Sequence, residues 1–196
     1  MADTVVRRFL ETCNRTPSKV AVRFSPSLKQ VGRGRREPTE NWLSMNWEEY
    51  RALVESLAAG LQSIGLHKGD RIAILSNTRL EWAALDLATL GLGAVTVPLY
   101  PSSTPEDIAF ILHDSHAKVF VVESQDFLRK LEKVWQNPSL RRPEKIIVID
   151  SSTAKTGELL TLDEVHQQGE LALKTSPTLY ELAAQELKAE DVATVI

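Results

Sequence analysis

The run from Gly69 to Ser103, GDRIAILSNTRLEWAALDLATLGLGAVTVPLYPSS, constrains this chain more than any other stretch. Ile72 to Leu75 and Val95 to Leu99 are short, continuously apolar runs, the pattern of strands buried on both faces of a parallel sheet. Between them Leu80, Ala83, Ala84, Leu87 and Leu90 recur at helical spacing, which predicts a helix over Arg79 to Leu90. Lys68, Gly69 and Asp70 make a turn before the first run. Ser76, Asn77 and Thr78 offer caps for the helix, and Gly91 and Gly93 end it. Pro98 sits late in the second run, where a lost backbone donor does least harm. The unit reads as strand, helix, strand, with the two strands parallel.

The same alternation continues. Thr104, Pro105, Glu106 and Asp107 combine a cap, a proline at the first helical position and acids at the positive end of the helix dipole. Ile108, Ile111 and Leu112 are the buried face of that helix. Val119 to Val122 is predicted as a strand, Gln125 to Trp135 as a helix and Ile146 to Ile149 as a strand. Ser151 to Glu158 reads as a polar loop, Leu162 to Gln168 and Leu179 to Leu187 as helices, and Val192 to Ile196 as the start of another strand. The fold class is α/β: a mostly parallel, doubly wound sheet with flanking helices.

The amino-terminal part precedes this layer. Thr4 to Cys13 is a short helix with Val5, Phe9 and Leu10 apolar, broken by Thr16 and Pro17. Val20 to Phe24 and Trp42 to Met45 are the arms of a β-hairpin, joined by the polar loop Ser25 to Asn41. Asn46 to Glu49 forms a capping box. It opens a helix that sets Tyr50, Leu53, Val54, Leu57, Leu61 and Ile64 against the sheet, turns Glu48, Arg51, Glu55 and Gln62 away, and stops at Gly65.

Composition bounds the rest. A chain of 196 residues with 43% hydrophobic content buries one substantial core, so it is one domain or one lobe of a larger one. A net charge of −3 gives no pull toward nucleic acid or anionic lipid. Cys13 is the sole cysteine, which excludes an internal disulfide and a cysteine zinc cluster. No segment reaches the roughly 18 consecutive apolar residues that span a bilayer. The start MADTVVRRFLETCN lacks a secretory apolar core. A cytoplasmic protein is expected, with peripheral membrane contact limited to collecting an amphiphilic substrate.

Few residues point to chemistry. His113 and His116 flank Asp114 at a helix end, but lack a third ligand of convincing spacing, so helix termination explains them better than a metal. His67 lies in a turn and His166 in a polar helix. Gly32, Arg33 and Gly34 match part of a dinucleotide fingerprint without its third glycine, its preceding strand or its following helix. The basic cluster Arg33, Arg35 and Arg36 reads as a solvated loop. Trp42, Trp47 and Trp82 read as packing residues. With no Gly-x-Ser-x-Gly elbow and no paired carboxylates, nothing argues for a hydrolase. Tyr100, Pro101, Ser102, Ser103 and Thr104 stand out instead. They lie just past the carboxyl end of a core strand, where open α/β sheets place ligands, although turn formation alone would select the same residue types.

GDRIAILSN, EWAALDLATLGLGAVTVPLYPSS, TPEDIAFILHDSHAKVFVVES and the final EDVATVI, in this order and spacing, resemble the amino-terminal part of AMP-forming adenylating enzymes. Among them the chain is most similar to long-chain fatty acid CoA ligases, from about Phe9, through TPSKVAVRF and MNWEEYRAL, to Ile196.

The resemblance implies a partial lobe of the large catalytic domain. The complete enzyme would use ATP, CoA and magnesium to convert a fatty acid to its CoA thioester, and Tyr100 to Thr104 would lie near the CoA channel. In the family the strand that EDVATVI resembles leads to a Ser/Thr/Gly-rich loop closing on Pro-Lys-Gly, which holds the ATP phosphates. The sequence stops at Ile196, before such a loop and before the other adenylation motifs. These 196 residues alone are therefore expected neither to catalyse adenylation nor to hold a cofactor tightly, and to self-associate through apolar surface near Val192 to Ile196. Arg129 and Lys130 are out of register with the arginines that meet CoA phosphates in some relatives. The alternatives are another adenylating enzyme of the superfamily, or a non-catalytic domain that binds an acyl chain or CoA or serves as a scaffold. A nucleotide-binding oxidoreductase is disfavoured, since no glycine fingerprint follows a strand.

Overall fold

Side chains one residue before a helix fix the start of four of the seven described α-helices. In the computed structural model, which describes residues 3–25, 28–30, 36–38, 41–132, 134–150 and 159–196, Thr4 caps α1 (Val5–Arg15), accepting from Arg7 N at 3.2 Å. Asn46 and Glu49 close a reciprocal capping box on α2 (Trp47–Ser63), both bonds at 2.8 Å. Between these helices β1 (Val20–Phe24) pairs antiparallel with β4 (Leu43–Asn46) as the expected hairpin. Its connection is more structured than a plain loop, because β2 (Leu28–Gln30) and β3 (Arg36–Pro38) form a second antiparallel pair. Gly32, Arg33, Gly34 and Arg35 lie outside the described residues, and of Arg36 only the backbone is described.

The main layer follows as β5 (Arg71–Leu75), α3 (Leu80–Gly91), β6 (Val95–Leu99), α4 (Pro105–Asp114), β7 (Val119–Val122), α5 (Gln125–Leu131), β8 (Lys145–Val148), β9 (Leu159–Thr161), α6 (Leu162–Thr175) and α7 (Leu179–Gln185). All strand pairs of this sheet are parallel, and the spatial order is β6-β5-β7-β8-β9. Counted along the chain this is 2-1-3-4-5, one of the common doubly wound orders, with a topological switch point between β5 and β7. Alternate strand residues feed two cores. Ile72, Ile74, Val119, Val121 and Ile147 pack with Leu57, Leu61, Leu85, Val165 and Tyr180 of the α2, α3, α6 and α7 layer. Ala73, Leu75, Val97, Leu99, Phe120, Val122 and Val148 pack with Ile108, Leu112 and Leu131 of α4 and α5. The expected doubly wound α/β architecture is the observed one.

Six local features differ from expectation. Helix α2 does not lay a single stripe on the sheet. Ser56, Ala58, Ala59 and Gly60 are also buried, because α6 covers the helix from a second side. The helix expected over 125–135 stops at Leu131, and Val134–Gln136 is a separate turn of 3-10 helix whose Trp135 carbonyl is taken by the Arg142 guanidinium. Helix α6 runs past Gln168 to Thr175, and β9 just before it is absent from the predicted strands. Trp42 is 57% exposed and so is not a packing residue, whereas Trp47 joins Phe9 and Tyr50 in an aromatic cluster with centroids 5.8–6.5 Å apart. Val192 to Ile196 makes only a parallel bridge, Thr96 to Thr194, against the outer edge of β6. The predicted polar loop 151–158 lies outside the described residues.

Candidate functional site

The carboxyl ends of β5, β6, β7 and β8 form one rim, and open α/β sheets bind ligands along such rims. Register fixes who sits beside whom. Leu75 is level with Leu99 on one side and Val122 on the other, so the next residues, Tyr100, Ser76 and Glu123, share a row. Adjacent strands in such a row are about 4.8 Å apart.

On the β6 side of the row the loop Tyr100 to Thr104 turns outward. Ser103 N–H donates to Tyr100 O at 2.9 Å, and Tyr100 is 72% exposed. Ser102 and Thr104 are exposed, and Pro101 and Ser103 half-buried. Thr104 caps α4, with Asp107 N–H donating to its hydroxyl at 3.1 Å and its hydroxyl donating to the Asp107 carboxylate at 2.7 Å. Tyr100 and Ser102 thus offer an aromatic face and a hydroxyl on a rigid strand-to-helix turn, the means to stack on a planar group and to hydrogen-bond a polar one. Thr104 is committed to its helix.

At the centre of the row the structure differs from the sequence reading. Ser76 and Asn77 do not cap α3, whose N-cap is Arg79 with no side-chain cap bond. They face Glu123, a carboxylate only 1% exposed. Its Oε2 accepts from Asn77 N–H at 2.8 Å and from the Asn77 side-chain amide at 2.8 Å, and lies 3.3 Å from the Ser76 hydroxyl, whose hydrogen the Asn77 carbonyl shares at 2.9 Å. Glu123 N–H donates to Leu75 O at 3.0 Å, extending the ladder beyond the strands. Nothing local in VVES separates Glu123 from a surface acid. The only sequence signal is its place, directly after the wholly apolar strand Val119–Val122.

Toward β8, Arg79 is the next fixed charge. Its guanidinium takes both Glu81 oxygens at 2.7 and 3.0 Å and Asp150 Oδ1 at 2.8 Å, tying the start of α3 to the end of β8. Burial disfavours the cation, but the hydrogen bonds and charges of Glu81 and Asp150 outweigh it and hold its pKa above the ordinary arginine value. This group is held by the two carboxylates through all three of its nitrogens and serves the scaffold.

The histidines belong to turns and helix ends. His113 Nδ1 accepts from Arg141 N–H at 3.0 Å, and His116, at φ 53°, ends α4 with its N–H on His113 O. His67 N–H donates to Asp70 at 2.8 Å. His166 lines a groove of about 1000 Å³ between α2 and α6 with Met45, Leu53 and Leu171. No group of three or more His, Cys, Asp or Glu among the described residues could hold a metal ion. Arg129 pairs with Asp126 at 2.9 Å, and the Lys130 side chain lies outside the described residues. No described helix is long and apolar enough to cross a membrane.

Known proteins resemble this chain in sequence and in fold. A long-chain-fatty-acid CoA ligase, FadD15, of Mycobacterium bovis is 43% identical over 83 residues, 42% of this chain and 14% of that protein. The long-chain-fatty-acid CoA ligase ACSBG1 of Rattus norvegicus is 28% identical over 174 residues, 86% of this chain and 24% of that protein. The chain therefore spans about a quarter or less of the length of these relatives. The crystal structure of a long-chain-fatty-acid-CoA ligase, FadD1, from Archaeoglobus fulgidus superposes with a TM-score of 0.72 at 21% identity, covering 99% of this chain and 34% of that one, which establishes the shared fold. The expected likeness to adenylate-forming ligases is thus observed in sequence and in fold. With the AMP-binding enzyme family matched across residues 9–196, this chain belongs to that family.

Proposed function

We propose that these residues are the amino-terminal portion of the large domain of an ATP-dependent long-chain fatty acid CoA ligase. The observation that carries the reading is the family match from residue 9 to residue 196, joined to relatives named as such ligases. The complete protein joins a fatty carboxylate to AMP with release of pyrophosphate, and the CoA thiolate then displaces AMP to give the thioester. The adenylate is needed because carboxylate oxygen is a poor leaving group and AMP a better one. Magnesium, when bound, neutralises phosphate charge.

This chain's own part is to carry the rim. Tyr100 to Thr104 lie nearest the ligands at the end of β6, near the channel by which CoA reaches the acyl group, with Tyr100 and Ser102 the side chains free to meet them. The sheet and its two helical layers hold that loop in place. The isolated 196 residues bind neither ATP nor CoA tightly and do not turn over, and the complete protein works in the cytoplasm, meeting membranes peripherally.

The test is an acyl-CoA synthesis assay with palmitate, ATP, CoA and magnesium on the full-length protein and on residues 1–196 alone. Palmitoyl-CoA and AMP formed by the first and not the second are expected. A full-length protein that makes no acyl-CoA from fatty acids of any length overturns the reading.

A further inference from the structure

The crevice between β5 and β7 is the place where a 2-1-3-4-5 sheet ordinarily receives a ligand, and here a side chain of the protein occupies it. Glu123, 1% exposed, brings one carboxylate oxygen, Oε2, to the backbone N–H and side-chain amide of Asn77 and, at a longer 3.3 Å, to the Ser76 hydroxyl, which the Asn77 carbonyl also takes at 2.9 Å. Converging donors of this kind at a strand end are how α/β proteins bind external anions. A carboxylate in so dry a place is tolerated only when its charge is met by such donors.

We propose that Glu123 is a built-in anion that closes the switch-point crevice, fixes the β5–α3 turn, and leaves the β6 side of the rim, at Tyr100 and Ser102, as the face open to ligand. Glu123 is thus a positioning residue. It touches no substrate, and it acts through Ser76 and Asn77 on the row that Tyr100 shares. The part of the inference that concerns ligand rests on the ligase reading. The part that concerns the anion does not.

The test is chemical rescue. Glu123→Ala removes a CH2–COO⁻ group whose free counterpart is acetate, and it leaves the Asn77 and Ser76 donors facing a void. In the full-length protein, E123A is expected to melt several degrees below wild type. Acetate or formate should restore its melting temperature saturably, beyond chloride at equal ionic strength, while wild type shows no such difference. E123Q, which keeps an acceptor oxygen without the charge, should melt between the two without added anion. Equal responses of wild type and E123A to acetate overturn the proposal.

If E123A does not fold, E123Q and Asn77→Ala combined in a double-mutant cycle replace it. Non-additive losses support the bracket, and strict additivity overturns it. Where the full-length protein turns over, E123Q is expected to raise KM for CoA more than it lowers kcat, and an unchanged KM removes the link to the ligand face. Because the melting experiments need no turnover, their outcome for Glu123 stands whether or not the ligase assay succeeds.

Discussion

Gly60 and Gly169 bring helices α2 and α6 into contact backbone to backbone. A Cβ on Gly169 would stand 1.7 Å from Ser56 O, and one on Gly60 would stand 2.0 Å from Val165 O. In an exposed helix, exchanging glycine for alanine gains about 1 kcal/mol. Here the obstructing atoms are main-chain atoms that cannot rotate away. Overpacking costs of about 1–3 kcal/mol or more exceed that gain. Gly169→Ala is expected to lower the urea midpoint with the m-value unchanged, and equal or raised stability would show that the helices part freely.

Asp86 on α3 is expected to weaken the fold at neutral pH. Burial raises its carboxyl pKa, with a nearby Thr96 hydroxyl pulling the other way. A raised folded-state value means that the native protein binds this proton more tightly than the unfolded chain does. Its contribution is fully present below the unfolded aspartate pKa, near 3.9, and is lost as pH rises through the higher folded value. Asp86→Asn should therefore raise the melting temperature at pH 7, and the gain should fade below about pH 4. A gain that persists undiminished in acid would assign the effect to packing instead.

Cys13 is 2% exposed, and burial raises its thiol pKa despite the opposing charge of Arg51. Thiol and thiolate are both out of reach of reagent until α1 lifts from α2. Labelling by an aromatic disulfide under native conditions should be roughly 100-fold or more slower than in denaturant, the factor that about 2.8 kcal/mol of opening free energy supplies. Comparable rates would place α1 among the loosely held elements.

Residues 1–196 in isolation should self-associate. Val192, Val195 and Ile196 are 60%, 47% and 98% exposed along the outer side of β6, where Thr96 and Thr194 make a bridge rather than a full ladder. Val5, 64% exposed, adds to this surface beside Val192. Sedimentation velocity is expected to show a weight-average size that grows with concentration. A monomer at all concentrations would mean that the edge is protected.

What the sequence reveals depends on the range of the interaction that decides each feature. Thr104 and Asn46 are legible as caps because their partners, Asp107 and Glu49, stand three residues away. Val119–Val122 is legible because a strand buried on both faces must be apolar throughout. Ser76 and Asn77 look like caps because those residue types serve caps well. Their actual partner is Glu123, more than 40 residues along, and only the sheet order brings them together. The second buried side of α2 is hidden for a similar reason. Alanine, serine and glycine read as neutral surface until a second helix is known to lie on them. Three-residue β9 is too short to carry a period. Tyr100 to Thr104 are candidates by the rule that ligands gather at strand carboxyl ends; the structure sets them at the end of β6, with Tyr100, Ser102 and Thr104 exposed and Pro101 and Ser103 half-buried.

The parallel sheet also shapes the birth of the protein on the ribosome. Residue 72 pairs with residue 119, and residue 146 with residue 159, so no strand of this sheet finds its partner through a tight turn. The interior strand β5 leaves the ribosome before either neighbour, β6 or β7. It waits, almost wholly apolar, until α3 and β6 and then α4 and β7 have been made. At about 5–20 residues per second, that interval is several seconds. During it α2 is the available cover, since its cap and apolar face are complete as soon as it emerges. The nascent chain should accordingly depend on early docking of α2, or on a holding chaperone, far more than the finished fold does.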